Sequence, residues 1–371
     1  MRIFLVTTDI SGDLHGSLLA RSLKELSPSL EIEGVGGKRM ASAGVKIHID
    51  LTPYAIIGFS EVLRHLFVFK KGLEEIASKI KERKPDLIIL IDSPSFNLRL
   101  AKKINEKERF LYYISPQVWA WGKGRIKKIS SLVKRIIVIF PFEEEIYRRA
   151  GVPVNFVGHP FLDMVRASIS EEEARKFFKL QKRILLLLPG SRKREVKSLL
   201  PVMLKVSKRI KEKEDLEIAI LAANDRLKDL ISQISEREKV PAHIFTEKKY
   251  DLINISHLVL SASGSATLEV TCLLKPFLLL YKVSSLTSIL LRPFFHLHFI
   301  GITNILAKKM VVPEFIQRNC TEKKILPSAL ELWKNEEKRV KMIEELKRVK
   351  SLLGQKGATR RAAEIILKHK E

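Results

Sequence analysis

Two cysteines in 371 residues, Cys272 and Cys320, cannot build a disulfide framework or a four-thiolate zinc site. Tryptophan is nearly as scarce, with three in the chain. Acidic residues are outnumbered, since 42 Asp and Glu face 67 Lys and Arg to leave a formal net charge of +25. No window of about 18 residues is free of charge, which argues against a membrane-spanning helix. Motif absences narrow the chemistry further. The Gly-rich turns near the N-terminus lack the third glycine of a dinucleotide fingerprint, and no Gly-Lys-Ser/Thr completes a Walker A loop. There is no Gly-x-Ser-x-Gly elbow of a hydrolase and no His-x-x-x-His spacing for a metal. The paucity of cysteine makes the cytoplasm the natural compartment, and the start, Met1-Arg2-Ile3-Phe4-Leu5-Val6, reads as too short for a signal peptide and runs into a strand.

What is present points to anions. A charge of +25 asks for nucleic acid, anionic lipid or phosphorylated metabolites, although Lys-rich helix faces also arise simply as solvated surface. The most apolar stretch, from Phe277 to Leu306, is interrupted by Lys282, Arg292, His296 and His298. It reads as a surface that lies on a membrane without crossing it.

Short apolar runs alternate with amphipathic helical patterns. Strands are expected over 3–7, 32–35, 46–49, 87–91, 110–114, 136–140 and 154–157, with helices over 18–26, 61–82 and 143–150 among them. A polar stretch over 168–182 opens a second series, with strands over 184–188, 216–221, 242–245, 258–261 and 277–281 and helices over 202–213 and 266–274. The fold class is therefore α/β, with two Rossmann-like domains carrying parallel sheets. The expected domains are 1–165 and 166–344, with a helical tail rich in Lys and Glu after them. Two such domains facing across a cleft match the GT-B glycosyltransferase architecture, an analogy of fold alone.

Several strand ends carry chemistry. Asp92 follows the run Leu87-Ile88-Ile89-Leu90-Ile91, where a carboxylate serves as a general base or caps the next helix. Ser93 to Asn97 complete a turn in this reading. Ser11-Gly12-Asp13 follows the first strand as a loop open to a ligand, or as a plain connection. Gly36 and Gly37 with Lys38 and Arg39 form a second loop of that kind. Gly190, Ser191 and Arg192 suit a phosphate through backbone amides and a guanidinium fork. Ser263-Gly264-Ser265 precedes a helical pattern whose N-terminus is open to an anion, and Glu269 lies in its first turns within reach of a ribose hydroxyl. Ser115-Pro116-Gln117-Val118-Trp119-Ala120-Trp121 holds two of the three Trp, with Lys123, Arg125, Lys127 and Lys128 just beyond. Gln117 and Trp119 are substrate-contact candidates there, against core packing as the alternative. His159, before Pro160, is either a satisfied structural His or a ligand contact at the domain junction.

In order along the chain, these runs resemble the lipid-A-disaccharide synthase family. The carrying segments are Ser11-Gly12-Asp13, Gly58 with Glu61, Ile91-Asp92-Ser93-Pro94, the Ser115–Trp121 run, Phe140-Pro141-Phe142-Glu143 and Val157-Gly158-His159-Pro160. They continue through Leu188-Pro189-Gly190-Ser191-Arg192, Ser263 to Glu269, Asn304-Ile305-Leu306-Ala307 and Val312 to Gln317. The resemblance implies transfer of a 2,3-diacylglucosamine unit from UDP to 2,3-diacylglucosamine 1-phosphate (lipid X), with a β-1′,6 linkage, inversion and release of UDP. It implies Asp92 as the base, and Arg192, Ser265, Asn304, Glu314 and Gln317 around the nucleotide and active site. It implies that the C-terminal helices, from about 345 to 371, pack back on the first domain. It further implies peripheral attachment to the cytoplasmic face of an anionic inner membrane. No cofactor is expected beyond the donor's own UDP, and no nucleic-acid partner; a homodimer is open. The absence of an Asp-x-Asp pair near the loops suits metal independence. The chain departs from the family pattern at Asp9, where many members have Glu, at Ser95, where many have Asp, and at Gly122 and Lys123, where Arg often begins the basic stretch.

Overall fold

The computed structural model describes residues 1–56, 62–115, 124–282 and 299–370. Gly58, Glu61, the run over 116–121 with Gln117 and Trp119, then Gly122, Lys123, and the span over 283–298 with Arg292, His296 and His298 lie outside the described residues. The chain divides into two compact units, Met1–Asp163 with Leu353–Glu371, and Met164–Leu352.

The first unit is built on a seven-stranded sheet, ordered β3-β2-β1-β4-β5-β6-β7. Its strands are β1 (Arg2–Val6), β2 (Glu31–Val35), β3 (Lys46–Ile49), β4 (Leu87–Ile91), β5 (Phe110–Tyr113), β6 (Arg135–Val138) and β7 (Val154–Phe156). Every pairing is parallel. The sequence explains this, because β4 is Leu-Ile-Ile-Leu-Ile and all five residues are buried. A strand apolar at every position has no face to offer water, so both faces must be covered. Each such side chain contributes roughly 1.5–3 kcal/mol by leaving water.

The second unit repeats the plan in six strands, ordered β10-β9-β8-β11-β12-β13. These are β8 (Arg183–Leu188), β9 (Leu216–Leu221), β10 (His243–Phe245), β11 (Leu258–Ala262), β12 (Phe277–Tyr281) and β13 (Glu314–Ile316), again all parallel. Its core runs from Leu185, Leu186 and Leu187 on β8 to Trp333, which is fully buried.

Some local expectations are corrected. The helix after β1 is Ile10–Leu26, so Ser11-Gly12-Asp13 forms its first turn and not a loop. Asp9 is its N-cap and accepts from the Gly12 amide at 2.6 Å. The turn expected over 93–97 is cut short by the helix Pro94–Ile104, with Pro94 in the first turn, where its missing N–H costs nothing. The helix expected over 202–213 is Lys193–Lys211 and carries Pro201 in its interior. Strand β13 was not expected at all.

The end of the chain completes the first unit. Helix Ala358–Leu367 packs on Ile10–Leu26 through Ala358, Ala362, Ala363 and Ile366, all fully buried. Arg361 donates to the carbonyls of Val157, Gln355 and Lys356, and the Gly357 amide donates to Asp163 Oδ1 at 2.9 Å. Among the described residues no helix is long and apolar enough to cross a membrane.

Candidate functional site

Open parallel sheets bind ligands at the carboxyl ends of strands, where the strand order reverses. Here those places are the β1/β4 edge of the first sheet and the β8/β11 edge of the second.

At the β1/β4 edge, Thr7, Thr8 and Asp9 follow β1, and Asp92 and Ser93 follow β4. The Ser93 hydroxyl donates to Asp9 Oδ2, accepts from the Thr8 amide at 3.0 Å, and lies 3.3 Å from Thr7 Oγ1. One hydroxyl thus ties two strand ends together. Asp92 and Ser93 both take left-handed backbone conformations, with φ of +46° and +44°. For non-glycine residues each such conformation costs on the order of 1–3 kcal/mol, and the surroundings must enforce it. The Asp92 carbonyl accepts from the Tyr112 hydroxyl at 2.5 Å and from Asn97 Nδ2 at 2.8 Å. Asn97 Nδ2 also lies 3.1 Å from the Ile91 carbonyl and 3.4 Å from that of Val6.

Burial and the neighbouring Asp9 charge push the Asp92 carboxyl up to about 7, partly offset by the Ser93 amide. Ser93, not Asp92, is the N-cap residue of the following helix, and it makes no side-chain capping bond. The Asp92 carboxyl is therefore poised near neutrality, as a general base requires.

Asp13 has another task. Its buried carboxylate accepts from the amides of Gly37 at 2.7 Å, Met40 at 3.1 Å and Arg39 at 3.1 Å. The amides that a phosphate would use at Gly37 and Arg39 are held by a carboxylate of the chain itself. Ser11 is exposed at the helix start, whereas Gly12 is buried. His159 sits among aromatics, with ring centroids 5.1 Å from Phe140 and 4.6 Å from Phe161. Its Nδ1 accepts from the Phe161 amide at 3.1 Å, and its own amide donates to the Leu353 carbonyl at 2.9 Å. Burial, with His15 nearby, lowers it to about 3, so the ring is neutral.

At the β8/β11 edge the polar groups differ. Gly190 has φ of +109°, and a Cβ there would lie 2.5 Å from Glu195 Oε2, so only glycine fits. Glu195 accepts from the amides of Ser191 at 3.1 Å and Arg192 at 3.3 Å, while its other oxygen faces the Arg192 guanidinium at 3.4 Å. The Arg192 side chain is 69% exposed. Gly264 (φ +149°) has open space around its missing Cβ, and it starts the helix Ser265–Cys272 without a side-chain cap. Gly264 and Ser265 are exposed, so this helix start is the uncovered anion cradle of the pair.

The remaining candidates are held within the second unit. Glu269 is buried and accepts from Lys249 Nζ and, at 3.1 Å, from the Tyr250 hydroxyl. Asn304 is buried and bridges backbone. Its Nδ2 donates to the Val312 carbonyl at 2.7 Å and to Glu314 Oε1 at 2.8 Å, and its Oδ1 accepts from the Val311 and Val312 amides. Glu314 also accepts from the amides of Ile300 and Gly301. Gln317 follows β13 with φ of +50°.

The structure thus gathers Asp92, Asp9 and Ser93 at one edge, and Gly190 to Arg192 beside Gly264 and Ser265 at the other. It sets Asn304 and Glu314 together as a separate pair. In the sequence Asp9 stands out only as a departure from the family pattern, and nothing there marks a role for Asn97 or Tyr112. A polar residue just past a strand end was the available signal for Asp9; for Tyr112, inside a buried strand, there was none.

A family model described as lipid-A-disaccharide synthetase matches residues 3–368. The chain is 37% identical over 370 residues to a lipid-A-disaccharide synthase of Geobacter sulfurreducens, covering 99% of this chain and 96% of that protein. It is 38% identical to the one from Syntrophus aciditrophicus, covering 98% and 97%. Among solved structures, a putative UDP-N-acetylglucosamine 2-epimerase from Listeria monocytogenes superposes with a TM-score of 0.68 at 12% identity, covering 99% of this chain and 96% of that one. A glycosyltransferase from Rickettsia africae does so with a TM-score of 0.61 at 16% identity, covering 99% and 97%. At those identities the structural likeness speaks to the fold alone.

Proposed function

We infer the reaction from one premise: the chain belongs to the lipid-A-disaccharide synthase family. It is a glycosyltransferase that moves 2,3-diacylglucosamine from UDP-2,3-diacylglucosamine to 2,3-diacylglucosamine 1-phosphate, forming the β-1′,6-linked disaccharide 1-phosphate and UDP. The match across residues 3–368 carries this assignment, and the geometry suggests how the work is divided.

In this reading the transfer inverts the anomeric carbon. The acceptor 6-hydroxyl attacks it from the face opposite UDP. The new C–O bond forms as the bond to the diphosphate breaks, the proton passes to Asp92, and the electron pair leaves on UDP. Support comes from an Asp92 carboxyl raised to about 7. Ser11, Gln117, Trp119 and His159 belong to the acceptor side in this reading. On the donor side, the helix start at Gly264–Ser265 and the exposed Arg192 would stabilise the departing diphosphate. Glu269 would meet the ribose only by giving up Lys249 and Tyr250, which hold it buried. Asn304, Glu314 and Gln317 would shape the nucleotide surroundings. The reading requires no metal ion and no cofactor apart from the nucleotide that the donor brings.

The substrates are acylated and phosphorylated, and the chain carries +25. Both suit peripheral attachment to the cytoplasmic face of an anionic inner membrane and not a nucleic acid. A homodimer fits this reading as well as a single chain does.

The test is product analysis. Pure protein incubated with both substrates should yield disaccharide 1-phosphate and UDP in equal amounts by mass spectrometry, with the rate kept in EDTA. A UDP-sugar altered only at its own ring, with no disaccharide, would overturn the assignment; loss of rate in EDTA would overturn metal independence.

A further inference from the structure

The left-handed pair at Asp92 and Ser93 is held from outside its own strand. β5 supplies the Tyr112 hydroxyl and the following helix supplies the Asn97 amide, and both donate to the Asp92 backbone carbonyl, at 2.5 Å and 2.8 Å. Both residues are fully buried. A carbonyl oxygen has two lone pairs, so these donors fill it, and the Asp92 carboxylate takes no part in the grip. Burial holds the Tyr112 phenol well above its ordinary range, so it stays protonated and keeps donating. If the carbonyl were released, the peptide between Asp92 and Ser93 could rotate and relax the Ser93 φ and the Asp92 ψ. Asn97 also holds the Ile91 carbonyl of the preceding peptide, so with that grip loosened the Asp92 φ could follow and carry the carboxylate with it.

We propose that Asn97 and Tyr112 are positioning residues for the transfer: by fixing the Asp92 carbonyl they lock its left-handed turn and aim the carboxylate at the acceptor hydroxyl. The inference rests on the reading of Asp92 as the base. It names two residues that never touch the substrate but set the attack geometry, on which rate depends steeply.

Tyr112→Phe keeps the ring and removes the donor. It should lower kcat about tenfold or more while both KM values stay within about twofold. The acid limb of the pH–rate profile should also move to lower pH. Among the described residues, the ionisable groups that face Asp92 are Asp9, at the start of its helix, and Tyr112, on β5. A carboxylate swung away from Asp9 and into water loses both causes of its raised pKa. Asn97→Ala should give the same kinetic signature with a lower melting temperature, since it removes bonds to three carbonyls. The double variant should lose less than the product of the two single losses.

An unchanged kcat and acid limb in Tyr112→Phe overturns the inference, as does a lower melting temperature with no shift of the limb. If Asn97→Ala does not fold, Tyr112→Phe decides alone. Asp92→Asn, assayed alongside, separates the two failures. Turnover retained there removes the base assignment itself. Turnover lost there with an unaltered Tyr112→Phe removes only the positioning role.

Discussion

At the β1/β4 edge the first sheet ends in Asp9 and Asp92, and the hydroxyl of Ser93, next after Asp92, donates to Asp9. At the corresponding β8/β11 edge the second sheet ends in Gly190, Ser191 and Arg192 beside Ser263, Gly264 and Ser265. The inner strand order is the same in both, with the first strand between the second and the fourth. What differs is which groups stand at the strand ends. Burial and a second carboxylate at the first edge raise a proton affinity, whereas the uncapped helix start at Gly264 and an exposed guanidinium at the second present amides and positive charge. One topology thus yields two kinds of chemistry, and the strand-end residues determine which.

The sharpest way to break this contrast is Asp92→Asn. Turnover should fall by about 10²–10⁴, the range for loss of a general base, while UDP-sugar binding measured by calorimetry is largely kept. The unaltered protein should lose rate as pH falls through about 7, because the base is then protonated. Stability should move the other way. A folded pKa of about 7 against an ordinary 3.8 means that the folded state binds the extra proton, and that contribution is lost as pH rises through 7. Asp92→Asn should therefore melt later than the unaltered protein at pH 8, by roughly 2–4 °C for each kcal/mol relieved. An equal rate would end the assignment of proton transfer to the first edge.

Next in size is Arg192→Ala. A guanidinium–phosphate contact is worth about 1.5–3 kcal/mol, so KM for the UDP-sugar should rise roughly tenfold or more, with little change for the lipid acceptor. Equal weakening of both substrates would point to a structural role at the second edge. Smallest is Gly264→Ala. The added methyl has open space, so the effect comes from the backbone at φ +149°. Donor KM should rise several-fold at a stability cost of about 1–3 kcal/mol. If acceptor kinetics suffered first, the division between the two edges would blur.

Much of this was legible in the sequence, for physical reasons. β4 and β8 are apolar at nearly every position, and only strands buried on both faces read that way. The strand-end candidates follow from knowing where such runs stop. What stayed hidden was non-local or brief. Glu314–Ile316 is three residues long, too short to show a period. The start of Ile10–Leu26 was masked by Ser11, Gly12 and Gly16, which blur an apolar stripe, although Asp9 was a good capping residue in plain view. Pro201 hid the first half of Lys193–Lys211. At the candidate site, the Ser93 to Asp9 bond spans 84 positions and the Tyr112 to Asp92 bond spans 20, so no local pattern encodes either. Asp13 read as a ligand contact because its three amide partners lie 24 to 27 positions away.

The first unit is discontinuous in the chain, with Leu353–Glu371 supplied after the whole of Met164–Leu352. During translation the second unit is complete before the helix that covers Ile10–Leu26 has been made. Until that helix arrives, the nascent first unit bares the apolar flank that Ala358, Ala362, Ala363 and Ile366 later cover, and chaperones have a surface to hold. A premature stop codon near position 353 would spare the second unit and leave the first one unsealed.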